Sequence, residues 1–180
     1  FLDVREGRTL KTRLLLAAAF VLLTPTLTHA QTAPKATAAT MPILLQPWTG
    51  PHGGVPPWDK VTPDAFPPAF EQAFDKVRAE MRAIAENPAP PTFDNVIGAM
   101  EASGEELNRV SSLFGVMTSN MNSPAYQALD RDWSPKFAAL SDEINLNPKL
   151  FQRVDALYAR RASLNLSPMQ LRLLERTHAE

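Results

Sequence analysis

The sequence predicts an all-α fold, an array of about five antiparallel helices preceded by a proline-rich extended strap. From Phe70 onward, apolar residues recur at spacings of three and four, which is the period of an amphipathic helix. The 17 prolines are concentrated before these stretches and at the points where one stretch gives way to the next. Alternating apolar and polar runs, which are typical of strands, do not occur.

The composition excludes several kinds of chemistry. The 180 residues include no cysteine, which rules out disulfides, cysteine zinc sites and a thiol nucleophile. The formal net charge is -1, so bulk electrostatic binding of nucleic acid is not expected. Hydrophobic residues make up 44% and charged residues 21%, as in ordinary globular proteins.

Residues 1–30 have the pattern of a secretory signal peptide. Basic residues precede the apolar run 14–23 (LLLAAAFVLL), and small residues flank His29 near a cleavage point after Ala30. The run has ten residues, whereas a membrane-spanning helix needs about 20. We therefore expect cleavage after Ala30, a periplasmic or secreted location, and no membrane association afterwards.

Residues 31–41 are rich in alanine and threonine and predict a flexible linker. The 35 residues from Pro34 to Pro68 contain nine prolines, which excludes a long helix or a central strand there. Because this stretch also carries Trp48, Trp58 and Phe66, we expect a strap that packs on the domain surface. The alternative is a polyproline ligand for another protein.

The first helix is predicted to begin at Pro67–Pro68 and to end at Asn87–Pro88. The second begins after Thr92, an N-cap residue, and continues without interruption to about Met117. Within it, Gly104 falls on the apolar stripe and is expected to allow close approach of a neighbouring helix. Glu105 and Arg109 are expected to form an i,i+4 ion pair.

Three further helices are predicted from N-cap residues followed by proline, at Ser123, Asn147 and Ser167. In the third helix, Pro135 predicts a kink or a break at Ser134. The fourth has a buried face formed by Leu150, Phe151, Val154, Leu157 and Tyr158, and the fifth one formed by Leu171, Leu174 and His178. The fifth stripe is still running at Glu180, so a truncated helical region over residues 42–180 is expected.

No residue is predicted to be catalytic, cofactor-binding or metal-binding. The three histidines are His29, His52 and His178, and none belongs to an H-E-x-x-H or H-x-x-E-H motif. The adjacent acids Glu105–Glu106 and Asp142–Glu143 lie on predicted helices, where neighbouring side chains diverge, so they are interpreted as solvated faces. Serine lacks the G-x-S-x-G context of a hydrolase nucleophile.

Four segments together resemble the N-terminal region of the thimet-oligopeptidase-like zinc metallopeptidases. In order, they are residues 50–74 (GPHGGVPPWDKVTPDAFPPAFEQAF), 87–114 (NPAPPTFDNVIGAMEASGEELNRVSSLF), 134–154 (SPKFAALSDEINLNPKLFQRV) and 164–175 (LNLSPMQLRLLE). Within that family, the residues from Gly53 to Pro57 and the stretch around Pro148 are most similar to the bacterial peptidyl-dipeptidases. The resemblance covers nearly all of the chain from about Pro42 onward.

The resemblance implies an elongated helical ellipsoid with a deep channel, of which these helices form a wall and lid. It implies a zinc peptidase that hydrolyses oligopeptides, releases C-terminal dipeptides and is a monomer when complete. The family's zinc ligands lie beyond Glu180, so this chain alone is expected to bind no zinc and to be inactive. Two alternatives remain, a stand-alone periplasmic helical binding or scaffold protein and an oligopeptidase-type endopeptidase of the same family.

Overall fold

The computed structural model describes residues 41–51, 54–121 and 123–179. The predicted signal peptide, linker residues 31–40 and His52 lie outside the described residues. Six α-helices occur in the described ranges: α1 Phe66–Ala85, α2 Ala99–Glu101, α3 Glu105–Asn120, α4 Pro124–Asn145, α5 Pro148–Ala159 and α6 Pro168–Ala179. A π-helical turn, Asp94–Gly98, leads directly into α2, and short 3-10 turns lie at Ile43–Leu45, Trp58–Lys60, Pro63–Ala65 and Arg161–Ser163.

The all-α prediction is confirmed. Over the described ranges the chain forms no β-strand, and its only β-type pairing is an isolated bridge between Thr49 and Val55. None of the helices in these ranges is both long enough and apolar enough to cross a lipid bilayer.

The predicted helix starts are confirmed, and local side-chain chemistry explains them. Asn147 Oδ1 accepts hydrogen bonds from the main-chain N–H groups of Lys149 and Leu150, each at 3.1 Å, at the start of α5. At α6, Ser167 Oγ accepts from the N–H of Gln170 at 3.3 Å, and Gln170 Oε1 accepts from the N–H of Ser167 at 3.0 Å. Proline follows each cap, where its missing N–H costs no helical hydrogen bond.

The prediction of one uninterrupted second helix is wrong. Gly104 has φ +73° and ψ 13°, a left-handed conformation that ends the helical path after α2 and lets α3 start in a new direction. A Cβ at this position would lie 3.6 Å from Val77 Cγ2, an ordinary contact, so Gly104 is required by its backbone angle and not by close helix approach. The guanidinium of Arg109 turns to the main-chain oxygen of Leu45, at 2.6 Å, and not to Glu105.

The expected break at Ser134 is also wrong. Helix α4 runs through Pro135 from Pro124 to Asn145. The ring removes the hydrogen bond to the carbonyl of Arg131, but both residues are exposed, so water can hydrate that oxygen. In α5, Phe151 is 51% exposed, contrary to its predicted place on the buried face.

The described part of the strap, residues 41–51 and 54–65, packs on the helices. Leu44, Leu45 and Val61 are buried, and the buried hydroxyl of Tyr126 in α4 donates to the main-chain oxygen of Val61 at 3.1 Å. Gly54 has φ +110°, and a Cβ there would lie 2.6 Å from the main-chain oxygen of Trp48. The strap can therefore fold back at Trp48 only because residue 54 is glycine.

Two cores hold the helices together. The aromatic core lies between the strap, α1, α3 and α4, and its rings pack mostly edge to face or tilted at centroid distances of 4.9–6.5 Å: Phe66, Phe70, Phe74, Phe114, Tyr126, Trp133 and Phe137. The aliphatic core joins the π-helical turn to α5 and α6 through Val96, Ile97, Val154, Leu157 and Leu174. Helix α1 connects the cores, because Phe70 of α1 lies in the aromatic core and α1 also packs on α5, which contributes to the aliphatic core.

Candidate binding groove

A groove of about 610 Å³ lies between the C-terminal halves of α1 and α4 and the start of α5. This volume falls within the range of about 300–1,000 Å³ that small-molecule sites occupy. Apolar atoms of Met81, Ala139, Ile144, Leu146 and Pro148 form part of its lining. Leu146, in the connection between α4 and α5, is 78% exposed and presents an uncovered side chain at this site.

Ion pairs tie the walls of the groove together. Arg78 Nε in α1 donates to Glu143 Oε2 in α4 at 2.8 Å, and this hydrogen bond raises the pKa of Arg78. Lys149 Nζ at the start of α5 donates to Glu86 Oε1 at the end of α1 at 3.1 Å. The two pairs connect α1 with α4 and the end of α1 with α5 at the surface of the groove.

The remaining charged residues of the groove are Arg82 on α1 and Asp142 on α4. Among the described residues, neither side chain forms an ion pair or a side-chain hydrogen bond. In total the groove carries three cationic and three acidic side chains: Arg78, Arg82, Lys149, Glu86, Asp142 and Glu143. It contains no histidine within the described residues and no nucleophile with an adjacent base.

The structure brings only one of the adjacent acid pairs into this site. Asp142 and Glu143 both line the groove, whereas Glu106 pairs with Lys76 Nζ of α1 at 2.7 Å on another surface. That hydrogen bond raises the pKa of Lys76. Glu105 is exposed in the first turn of α3.

His178 lies away from the groove, between α6 and α5. Its Nε2 is 2.9 Å from Asp155 Oδ1, and its ring stacks on Tyr158 with 3.8 Å between centroids. The described residues contain no group of three or more His, Cys, Asp or Glu side chains that could hold a metal ion. A zinc ion, which the family resemblance implies, therefore does not fit the residues that the structure describes.

Arg153 of α5 is a buried residue that sequence reasoning missed. Its Nη1 donates to the main-chain oxygens of Asn87 at 2.7 Å and Ala89 at 3.1 Å, and its Nη2 donates to Asn95 Oδ1 at 3.1 Å. It is 9% exposed and holds the connection after α1 against α5. Its spacing of three from Leu150 places it on the apolar stripe of α5, which is a signal in the sequence that could have identified it.

The fold and the groove together define the class of the described part of the chain as an all-α domain with an open, charge-lined groove. The chain is 41% identical over 140 residues to dipeptidyl carboxypeptidase of Escherichia coli strain K12, an alignment that covers 76% of the chain and 20% of that protein. It is also 41% identical over 143 residues to dipeptidyl carboxypeptidase of Salmonella typhimurium strain LT2, covering 78% of the chain and 20% of that protein. These alignments confirm the predicted resemblance to peptidyl-dipeptidases.

The chain thus spans about a fifth of the length of the curated relatives it matches. No protein-family model matches it. The relationship to peptidases therefore rests on two alignments that cover about three quarters of the chain and a fifth of each relative.

Proposed function

We propose that this chain is the N-terminal helical part of an exported zinc metallopeptidase that hydrolyses oligopeptides and releases C-terminal dipeptides. The observation that carries the proposal is the 41% identity to two dipeptidyl carboxypeptidases over 76% and 78% of the chain. The part of those proteins that the chain does not match, about four fifths of their length, offers room for a catalytic centre.

The zinc belongs, in this proposal, to the part of a longer polypeptide that follows the helices described above. When bound, zinc supplies Lewis-acid activation of water for attack on a peptide carbonyl. The helices of this chain contribute a wall of the peptide channel, with the ion pairs Arg78–Glu143 and Glu86–Lys149 fixing the positions of α1, α4 and α5. This chain alone is then inactive.

Product analysis with the protein encoded by the complete reading frame tests the mode of cleavage. The substrate is an octapeptide with a free C-terminus, compared with the same octapeptide carrying a C-terminal amide. Mass spectrometry should detect a C-terminal dipeptide from the free peptide and little cleavage of the amide. Internal cleavage of both peptides at similar rates would favour the oligopeptidase-type endopeptidase instead.

Export and the oligomeric state are separate parts of the proposal. We propose that residues 1–30 direct export and are removed after Ala30, which leaves Gln31 as the first residue of a periplasmic or secreted protein. The mass of the protein recovered from the periplasm should correspond to that start. A mass that retains residues 1–30 would contradict cleavage, and gel filtration of the complete protein should give a monomer.

A further inference from the structure

Three cationic side chains of α5 and its C-cap contact residues 86–91, the connection between α1 and the π-helical turn. Their spacing of four and then seven residues places them on one side of the helix. The hydrogen bonds are those of Lys149 to Glu86 Oε1 at 3.1 Å, of Arg153 to the main-chain oxygens of Asn87 at 2.7 Å and Ala89 at 3.1 Å, and of Arg160 to the main-chain oxygen of Pro91 at 2.9 Å. Charged hydrogen bonds therefore attach α5 to the end of α1.

The apolar contact across the same junction is small. The aromatic core lies within the strap, α1, α3 and α4, and the aliphatic core lies within the π-helical turn, α5 and α6. Among the described residues, Val77 and Ile84 of α1 and Leu150 of α5 are buried apolar side chains that belong to neither core. We call residues 94–101 and 148–179, which surround the aliphatic core, the aliphatic unit.

The aliphatic unit is held together by less buried apolar surface than the rest of the described chain. Its core has five buried side chains, whereas the aromatic core has 14, among them large rings. Burial of apolar surface is the dominant favourable contribution to folding, so the smaller core needs less free energy to open. Proteins open locally in cooperative units of this kind, and the least stable unit opens first.

We propose that the aliphatic unit unfolds as one cooperative body while the aromatic core stays folded, and that Lys149, Arg153 and Arg160 form a latch that limits this opening. Pro148 and Lys149 line the groove between α1 and α4, so the opening removes one wall of the groove. The shape of the groove thereby depends on the stability of α5 and α6, and not on that of the aromatic core.

Hydrogen exchange of the 180-residue chain, measured by mass spectrometry under conditions where exchange follows the opening equilibrium, tests the proposal with a matched pair of substitutions. Val110→Ala shortens a buried side chain of the aromatic core, and Val154→Ala makes the same change in the aliphatic core. Val110→Ala should speed exchange about tenfold in α3 and α4. It should leave α5 and α6 within about twofold of wild type, because Val110 stays packed in the partly open form.

Val154→Ala should act differently from its matched partner. Complete unfolding includes the opening of the aliphatic unit, so this substitution should speed exchange about tenfold in α3 and α4 as well as in α5 and α6. If Val110→Ala speeds exchange in α5 and α6 as much as in α3 and α4, the chain opens as a single body and the proposal is wrong.

The latch has its own test in the same experiment. Arg153→Met should speed exchange in α5 and α6 about a hundredfold, because the opening no longer breaks the hydrogen bonds of the guanidinium. Arg131→Met, at an exposed arginine of α4, is the control and should exchange as wild type does. An Arg153→Met chain that also exchanges as wild type does would show that this residue is not a latch.

Wild type alone provides a measurement that no folding defect of a variant can affect. In low concentrations of urea, amides of α5 and α6 should show a smaller dependence of the opening free energy on urea than the slowest amides of α3 and α4. The reason is that a partial opening exposes less surface than complete unfolding does. The same dependence in all four helices would overturn the proposal.

Discussion

Arg153 Nη1 donates to the main-chain oxygen of Asn87 at 2.7 Å, across 66 positions of sequence. The same guanidinium binds Ala89 and Asn95, so a single side chain of α5 satisfies two carbonyls and an amide around the connection from α1 to the π-helical turn. The aliphatic core is formed by the elements on both sides of this contact. Arg153 therefore fixes how the aliphatic core is joined to the end of α1.

Arg153→Met should destabilise the chain by about 3 kcal/mol, because it removes the three hydrogen bonds that the buried guanidinium donates to Asn87, Ala89 and Asn95, while keeping most of the side-chain volume. Urea unfolding followed by circular dichroism measures the change. The control Arg131→Met, at an exposed position, should stay within about 0.5 kcal/mol of wild type. Equal stability of the Arg153→Met variant and wild type would show that the network contributes nothing.

A pair of glycine substitutions tests the helix break between α2 and α3. Gly104→Ala should lower the free energy of unfolding by about 1 kcal/mol, because φ +73° is unfavourable for alanine even though the added Cβ has room. Gly115→Ala, in the middle of α3 with no atom within 4 Å of the added Cβ, should stabilise by about 0.5–1 kcal/mol. Thermal unfolding of both variants under the same conditions gives the comparison. The same sign for both changes would contradict the left-handed conformation at Gly104.

The hydrogen bond from Tyr126 to Val61 predicts a dependence on alkaline pH. Burial raises the pKa of Tyr126 above its usual value of 10.0, so the folded chain keeps a proton that the unfolded chain releases. The stability that depends on this proton is complete below pH 10 and falls as the pH rises toward the folded pKa. At neutral pH the free energy of unfolding of Tyr126→Phe should be about 1 kcal/mol below that of wild type. Above pH 10 this difference should become smaller, because wild type itself loses stability there. Urea unfolding across that range measures both effects, and a constant difference would contradict the assignment.

An alanine substitution tests the aromatic core. Phe70 is fully buried and contacts the rings of Phe66, Phe74, Phe114, Trp133 and Phe137. Phe70→Ala should destabilise the chain by about 3–5 kcal/mol, the loss expected when a large buried ring leaves a cavity. The exposed Phe151 provides the control, and Phe151→Ala should cost much less in the same urea titration. Similar losses at the two positions would be inconsistent with this core.

The helix starts could be predicted because their causes are local. At Asn147 the cap, the proline and the first apolar residue lie within four positions of each other, so sequence alone defines the start of α5. The break at Gly104 could not be predicted in this way. Its N–H is held by Glu80 Oε2 of α1 at 2.8 Å, a contact that exists only once α1 and α3 pack together.

The groove and the Arg153 network, like the contact at Gly104, depend on residues that come together only when the helices pack. The six charged residues of the groove come from α1, α4 and the start of α5. Because they are far apart in the sequence, no short motif predicts that they lie together. The sequence placed Asp142–Glu143 on a solvated face, and both residues are exposed. The pairing of Glu143 with Arg78, 65 positions away, could not be predicted in the same way. The apolar periodicity therefore predicts which face of each helix is buried. The packing of one helix on another determines which polar residues lie close together.

The decisive experiment compares hydrolysis of an oligopeptide by the protein of the complete reading frame with hydrolysis by the 180-residue chain alone. We expect the complete protein to release dipeptides one after another from the C-terminus of the peptide. A chelator should abolish this activity, and zinc should restore it. The 180-residue chain should leave the peptide intact. A complete protein that is folded and loaded with zinc but does not cleave the peptide would contradict the proposed peptidase function.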